Sequence, residues 1–441
     1  MQSRNIVALV LLGVFIVSMV FSFHYRISPT ADAKAYTRIA RNLAAGAGYI
    51  ADLENAGDVA HDDAIVRVGP GYEFFLAGIY WLIGGQSLEV VWGIQALLRV
   101  LTAFFVYKFT RRLFGDFRTS VLATMIFGFL PDFVVVGGML LAETLFLLLL
   151  VMAVYFSTLL IEDKKRSMLI FVSIFWGLAA LVRPTAIPMM LVLVAILLAR
   201  KRVAEACLVV AASALFVGVW SLHNSLLYQR PLFTTTAGSY ALWIGNNPEA
   251  TGGYDKPERI QELISAKHSV ELSEQALDEY FAFMFERPLK FAELQFRKTI
   301  IYFSLLRPMG FWIYLAQLPF DRIITIGISA ISTALLFIFG SVGAYMYFRE
   351  NPRAKSFLLS LVLLQPLVVI PTYVETRYRY PLYLFLTVFA AYAFLLLLDK
   401  KRLFKPLMWV TAVFGAISLV DLAYSFNVLY PRVQALLQAV L

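Results

Sequence analysis

Asp32-Ala-Lys-Ala-Tyr-Thr-Arg-Ile-Ala-Arg-Asn-Leu-Ala-Ala-Gly-Ala-Gly-Tyr49, an acidic run through His61, Asp62 and Asp63, then Arg67-Val-Gly-Pro-Gly-Tyr72: this polar stretch stands inside a chain that is otherwise apolar. An apolar run from Ile6 to Phe23 precedes it, and further long apolar runs follow from Leu88 onward. Of the 441 residues, 60% are hydrophobic and only 15% charged, where a soluble domain carries about 25%. Mean hydropathy is +0.74. The pattern is that of an all-α polytopic membrane protein. A polar loop kept between spans of such a chain calls for a use.

The net charge of +9 does not mark a nucleic-acid partner. The basic residues sit in short clusters between apolar runs, which is the positive-inside pattern. Cys207 is the single cysteine, so no disulfide can form within the chain. Arg4 before Ile6–Phe23, with Ala31-Asp32-Ala33 as a small-x-small site, resembles a signal peptide. The apolar run is too long for a signal core and the site lies well past its end, so we expect an uncleaved first span.

Runs of about 20 apolar residues place spans at 6–23, 88–107, 119–137, 141–161, 168–182, 185–199, 203–221, 322–347, 356–373, 381–398 and 407–426, about eleven in all. Lys108/Arg111/Arg112/Arg118, Lys164/Lys165/Arg166, Arg200/Lys201/Arg202, Arg349/Arg353/Lys355 and Lys400/Lys401/Arg402/Lys405 then share one side with Arg4. That puts the N-terminus in the cytoplasm and the C-terminus outside. Tyr72–Ile83 is short for a span, and counting it would reverse this order, so it is expected as an interfacial helix. Residues 1–441 thus read as one transmembrane domain with two extracytoplasmic segments, 24–87 and 222–321. In the second, Ser273 is expected to cap a helix carrying Leu277, Tyr280, Phe281 and Met284 on one face. Pro288 opens another, through Leu306. Both are expected to lie on the outer leaflet.

Asp32 falls just past the first span, with Tyr36, Ile39, Ala40 and Leu43 on one helical face behind it. At a helix N-terminus the dipole favours the carboxylate, which suits a general base; an ordinary N-cap is the plainer alternative. The glycines of Gly69-Pro70-Gly71 allow close backbone approach, and Arg67 offers a two-bond fork for phosphate. Arg183, Arg377 and Arg379 all break the positive-inside bias at the outer ends of spans, which an anionic lipid headgroup would explain. Glu375 pairing with Arg379 is the competing reading. Glu143 opens a span at the same depth, where a carboxylate needs a partner or water. Arg99, mid-span, is expected in an internal salt bridge. His61 with Asp62 and Asp63 is the one candidate group for a divalent metal, at a spacing that matches no particular site. No Ser-His-Asp or Cys-His set suggests covalent catalysis.

These residues resemble a family. An acid just past the first span, followed by Tyr-x-x-x-Ala and Gly-x-Gly-Tyr, resembles the GT-C glycosyltransferases of the protein-mannosyltransferase and aminoarabinose-transferase type. Arg67-x-Gly-Pro-Gly-Tyr-Glu-Phe-Phe-Leu-Ala, Ala142-Glu143-Thr144-Leu145, Leu181-Val-Arg183-Pro184, Gly245-Asn-Asn-Pro-Glu-Ala-Thr-Gly252 and Glu375-x-Arg377-Tyr-x-x-Pro381 follow in family order. The resemblance implies a GT-C fold with interfacial helices outside the membrane, and an inverting transfer of a sugar from a polyprenyl phosphate. The acceptor would be a lipid, glycan or protein hydroxyl at the extracytoplasmic face of the cell membrane. It makes Asp32 the base and Glu143 a second acid near the acceptor or a metal. Arg67, Arg183, Arg377 and Arg379 become contacts of the donor phosphate, and Tyr36, Tyr72, His223 and Asn246 contacts of the substrates. Two departures stand out: Ala33 where some relatives have a second acid, and His223-Asn224 where Arg-Asn is common. The main rival is a transporter or flippase of lipid-linked sugars, for which repeated halves are expected. The sequence contains no such repeat.

The topology is testable by labelling single cysteines in a Cys207→Ser background. Positions 32, 254 and 373 should react from outside, and 112, 165, 201, 353 and 401 from the cytoplasm. Cytoplasmic reaction at 254 would mean that the number of spans is off by an odd count.

Overall fold

The computed structural model describes residues 2–30, 32–50, 69–235, 237–254, 258, 269–307, 318–350, 355–399 and 403–438, which form α-helices, short 3₁₀ turns and loops without a strand. Seven helices are long and apolar enough to cross a membrane: α1 (Gln2–Tyr25), α4 (Leu88–Phe114), α7 (Glu143–Glu162), α10 (Val203–Tyr228), α14 (Pro319–Glu350), α16 (Tyr380–Leu398) and α17 (Phe404–Gln438). α5 (Phe117–Phe129) and α6 (Pro131–Gly137) pass the same test as a pair bent by 53°. The bend falls where Pro131 cannot continue the hydrogen bonding of α5. α8 (Leu169–Val182), α9 (Ala186–Ala199) and α15 (Lys355–Val369) are apolar but short. At 1.5 Å per residue, a 14-residue helix covers about 21 Å of a ~30 Å hydrocarbon layer. Among the described residues, length and composition therefore give seven full spans, or eight with the bent pair, against about eleven expected. The difference lies in these three helices.

The polar segments form the remaining helices: α2 (Asp32–Ala44), α3 (Gly71–Ile83), α11 (Ala237–Ile244), α12 (Ser269–Glu286) and α13 (Pro288–Phe303). Ser273 does not cap α12, which begins four residues earlier; its hydroxyl donates to Ser239 Oγ at 2.9 Å. Pro288 does open α13, which ends at Phe303 because Ser304 turns extended. Side-chain caps begin α4, where Ser87 accepts from Val90 N at 3.3 Å, and α5, where Asp116 accepts from Thr119 N at 2.7 Å.

α7 and α16 are buried along most of their length, while α1 and α17 turn most of theirs outward. Charges collect at both ends of α7, about 30 Å apart by helix rise. At its C-terminal end Arg112 pairs with Glu162 and Asp163, and Arg202 bonds both Glu205 and Leu160 O. At its first residue Glu143 meets Arg183.

Arg99 corrects an expectation, because it makes no salt bridge. It is 2% exposed, and its guanidinium donates to Ser18 Oγ on α1 and to Gly128 O on α5 at 2.7 Å, joining three helices. A buried cation without a carboxylate carries a large desolvation cost, so its packing is worth more than its charge. Arg99→Met should keep the thermal stability of the detergent-solubilised protein. Arg99→Ala, which empties the same space, should lose about 2–5 kcal/mol in unfolding measurements.

Candidate active site

α2 is amphipathic: Ala33, Tyr36, Ile39 and Ala40 are buried while Lys34, Arg38 and Arg41 face outward. That face packs on α3 and leaves Asp32 in the first turn. Asp32 Oδ2 accepts a hydrogen bond of 2.8 Å from Arg377 Nη1, 345 residues away. Arg377 lies in a 3₁₀ turn, Thr376–Arg379, that leads into α16. Its Nε donates to Glu375 Oε2 at 2.6 Å, and its Nη1 stands 3.8 Å from Glu143 Oε1. Glu143, the first residue of α7, also takes Arg183 Nη2 at 2.6 Å. Arg183 is extended at φ −143°, ψ 116°, as the residue before a proline tends to be, and so ends α8 with its side chain turned into the cluster. The Tyr378 ring lies 5.5 Å from the guanidinium carbons of both Arg183 and Arg377, within cation–π range.

Burial grades the cluster. Glu143 and Arg183 side chains are 3% and 10% exposed, Arg377 19% and Asp32 35%. Asp32 is therefore the most accessible carboxylate of the cluster, ahead of Glu375 at 26%. Burial works against the charge of Arg183, but the Glu143 carboxylate outweighs it and raises the guanidinium further. Burial, then the Asp32 and Glu73 carboxylates, push the Tyr36 hydroxyl well above the usual tyrosine range, so it stays neutral. Glu143 Oε2 is buried and has no hydrogen-bond partner, an unmet acceptor facing the cluster.

The Gly-Pro-Gly turn holds this arrangement from behind. A Cβ on Gly69 would stand 2.0 Å from Leu181 O, and one on Gly71 2.7 Å from Val182 Cγ2. Only glycines let α3 seat against the residues that immediately precede Arg183.

Solved structures share this architecture. ArnT from Cupriavidus metallidurans, bound to undecaprenyl phosphate, superposes with a TM-score of 0.52 at 16% identity over 94% of this chain. The archaeal oligosaccharyltransferase AglB from Archaeoglobus fulgidus, in complex with an inhibitory peptide and a dolichol-phosphate, gives 0.51 at 15% identity over 96%. The chain has the GT-C fold. It spans 64% of the first structure and 55% of the second. Residues 67–223 match the family model of dolichyl-phosphate-mannose-protein mannosyltransferases. No curated protein sequence matches the chain.

On this GT-C scaffold the other expected residues fall in different places. Arg67, His61, Asp62 and Asp63 lie outside the described residues, and among those described no group of three or more His, Cys, Asp or Glu could hold a metal. Tyr36 is buried beneath the cluster, edge-on to Tyr72 at 5.3 Å. Tyr72 is itself buried, and its hydroxyl donates to Gln95 Oε1 at 2.8 Å. Arg379 is fully buried and donates to the main-chain carbonyls of Tyr302, Ser304 and Arg307, so it braces the turn from inside. Glu375 pairs with Arg377 rather than with Arg379. His223 is exposed and stacks on Trp220 at 5.0 Å. Asn246 is fully buried, and its amide is taken up by Leu242 O, Pro371 O, Gln295 and Lys298. Lys298 is the residue that sequence reading missed. Its one signal was a lysine on the inward face of an amphipathic helix.

The Arg183–Glu143 pair predicts asymmetric mutational costs. Arg183→Met strands a buried carboxylate and should lower unfolding stability by about 3–5 kcal/mol. Adding Glu143→Leu should restore much of it, as a double-mutant thermal series would reveal.

Proposed function

We propose that the chain is a membrane glycosyltransferase that moves a sugar from a polyprenyl-phosphate donor to an acceptor hydroxyl, with inversion, at the extracytoplasmic face. The observation that carries this reading is the Asp32–Arg377 contact, which joins an accessible carboxylate to a guanidinium within one cluster. The lipid phosphates named with the ArnT and AglB structures support it. The acceptor oxygen attacks the anomeric carbon as the bond from that carbon to the phosphate oxygen breaks. Asp32 takes the hydroxyl proton, and the polyprenyl phosphate departs with the bonding pair. Arg377 and Arg183 stabilise the charge that builds on the phosphate.

Charge balance sharpens this assignment. Two guanidiniums, Arg183 and Arg377, face three carboxylates, Asp32, Glu143 and Glu375, so the described cluster carries 2 − 3 = −1 formally. A phosphodiester donor adds a further negative charge, which a site with poor access to water resists. Arg67, two residues before Gly69 in sequence, is the cation the chain would bring to the bound donor. As Arg377 turns toward phosphate it gives up its hydrogen bond to Asp32, and a carboxylate that loses a cationic partner becomes a stronger base. Donor binding and base activation become one event.

Asp32→Asn keeps the shape and removes the basic oxygen. It should fold and insert normally yet lose roughly 10²–10⁴-fold in transfer rate. Near-normal turnover by that variant, measured with a lipid-linked sugar in reconstituted vesicles, would end the mechanism. Arg377→Lys keeps a charge without the planar fork, and turnover should fall more than donor affinity. Weaker donor affinity with unchanged turnover at saturation would assign Arg377 to ground-state binding only.

A further inference from the structure

The segment that brings Arg377 to Asp32 is held from its far side by α13. Lys298 Nζ donates to Thr372 O at 2.8 Å, to Pro371 O at 3.2 Å and to Asn246 Oδ1 at 2.7 Å. Asn246 in turn gives its amide to Pro371 O at 2.8 Å, and Val374 N donates to Gly252 O at 3.0 Å. The joint is tight: a Cβ on Gly245 would stand 2.1 Å from Thr372 O. Beyond the segment, the exit of α13 grips the other flank of the turn. Arg307 O accepts from Thr376 Oγ1 and Arg379, while the Arg307 side chain forks onto Asp421 of α17 at 2.7 and 2.8 Å. Residues 371–379 are thus fixed at both flanks by one helix and its exit.

We propose that Lys298 is a positioning residue for the transfer site: by gripping the carbonyls of Pro371 and Thr372, its ammonium sets where Arg377 stands against Asp32. The inference rests on the reading of Arg377 as a donor-phosphate contact. An ammonium has three N–H bonds, and Lys298 meets three acceptors. A neutral amine has two, so deprotonation turns a lone pair toward one of these oxygens and loosens the segment.

Burial pulls Lys298 down to about 7, which places this change near neutral pH. Charged and titratable groups on the packed elements are otherwise engaged. On its own helix Arg297 lies over Tyr424, and on α12 Glu279 bonds Trp243 Nε1. On the gripped segment Tyr373 bonds Tyr378 and Glu375 holds Arg377; on α17 Asp421 holds Arg307. Among the described residues no carboxylate lies within 4.0 Å of Lys298 Nζ. The sign of each effect follows. Rising pH through 7 removes a bond from the grip and weakens donor binding. In the same range the unfolded chain binds more protons at this lysine than the folded one, so the contribution of Lys298 to stability rises with pH. A residue that served stability alone would not move the two in opposite directions.

The test uses the full chain in detergent with undecaprenyl phosphate as the probe, at pH 6 and pH 8.5. The second ionisation of the phosphate, near about 6, is common to all variants and cancels in the comparison. Wild-type Kd should rise about 3- to 10-fold more over this interval than that of Lys298→Gln, the size of one ordinary hydrogen bond. Lys298→Arg carries a cation that does not titrate here and should lose the same pH-dependent limb. Either variant suffices if the other fails to give a monodisperse protein. Lys298→Gln and Arg377→Lys should also be non-additive, since one acts through the other. Equal pH dependence in wild type and variants, or additive losses, would overturn the proposal while leaving the donor site standing. If Arg377→Lys leaves probe binding unchanged, the donor reading falls and this inference with it.

Discussion

The guanidinium of Arg377 ties the first polar helix of the chain to the last third of it, and the end of the bundle where α7 begins is arranged around that contact. Three carboxylates stand around the guanidinium: Asp32 at 2.8 Å, Glu375 at 2.6 Å and Glu143 at 3.8 Å. Meeting them requires α2, α7 and α16 to begin at the same depth. Arg183 joins the set by donating to Oε1 of Glu143, the oxygen that also lies nearest Arg377. At this end of the bundle four segments are joined by one network of charges, which in low dielectric is costly to leave incomplete.

The opposite end of α7 shows what the same physics does without a binding task. There Arg112, Arg166 and Arg202 pair with Glu162, Asp163 and Glu205, basic and acidic groups matched nearly one to one. The cluster at Glu143 differs: among its described residues carboxylates outnumber guanidiniums, and Oε2 of Glu143 has no hydrogen-bond partner. A closed network needs no ligand. An open one with excess carboxylate gains by admitting a cation, a proton or a hydroxyl.

The membrane class and most helix positions were legible from apolar run lengths, because hydrophobic length is a local property of sequence. Pro184 marked a break for the same local reason, whereas the bend at Pro131 falls inside what reads as one span, 119–137. Asp32, Glu143, Arg183 and Arg377 were legible as charges placed where charge is costly. The tasks of Arg99, Arg379 and Asn246 were not. Each is satisfied by main-chain carbonyls on elements distant in sequence, and a carbonyl leaves no mark in an amino-acid string. Lys298 escaped for that reason too. A lysine whose partners are an amide and two carbonyls shows in sequence only its place on the inward face of an amphipathic helix.

The turn Glu375-Thr-Arg-Tyr-Arg379 condenses the problem. Arg377 and Arg379 are two residues apart, and in sequence both read as anion contacts. A 3₁₀ turn advances each residue by about 120°, so residues two apart point in directions about 240° from one another. Arg377 and Arg379 therefore cannot serve one phosphate from this turn. The first faces Asp32, and the second passes inward to the carbonyls at the exit of α13. The same geometry explains why Glu375 reaches Arg377 sideways from the extended residue before the turn. One arginine braces the turn so that the other can be held at the edge of the site, and the chain needs both charges for opposite reasons.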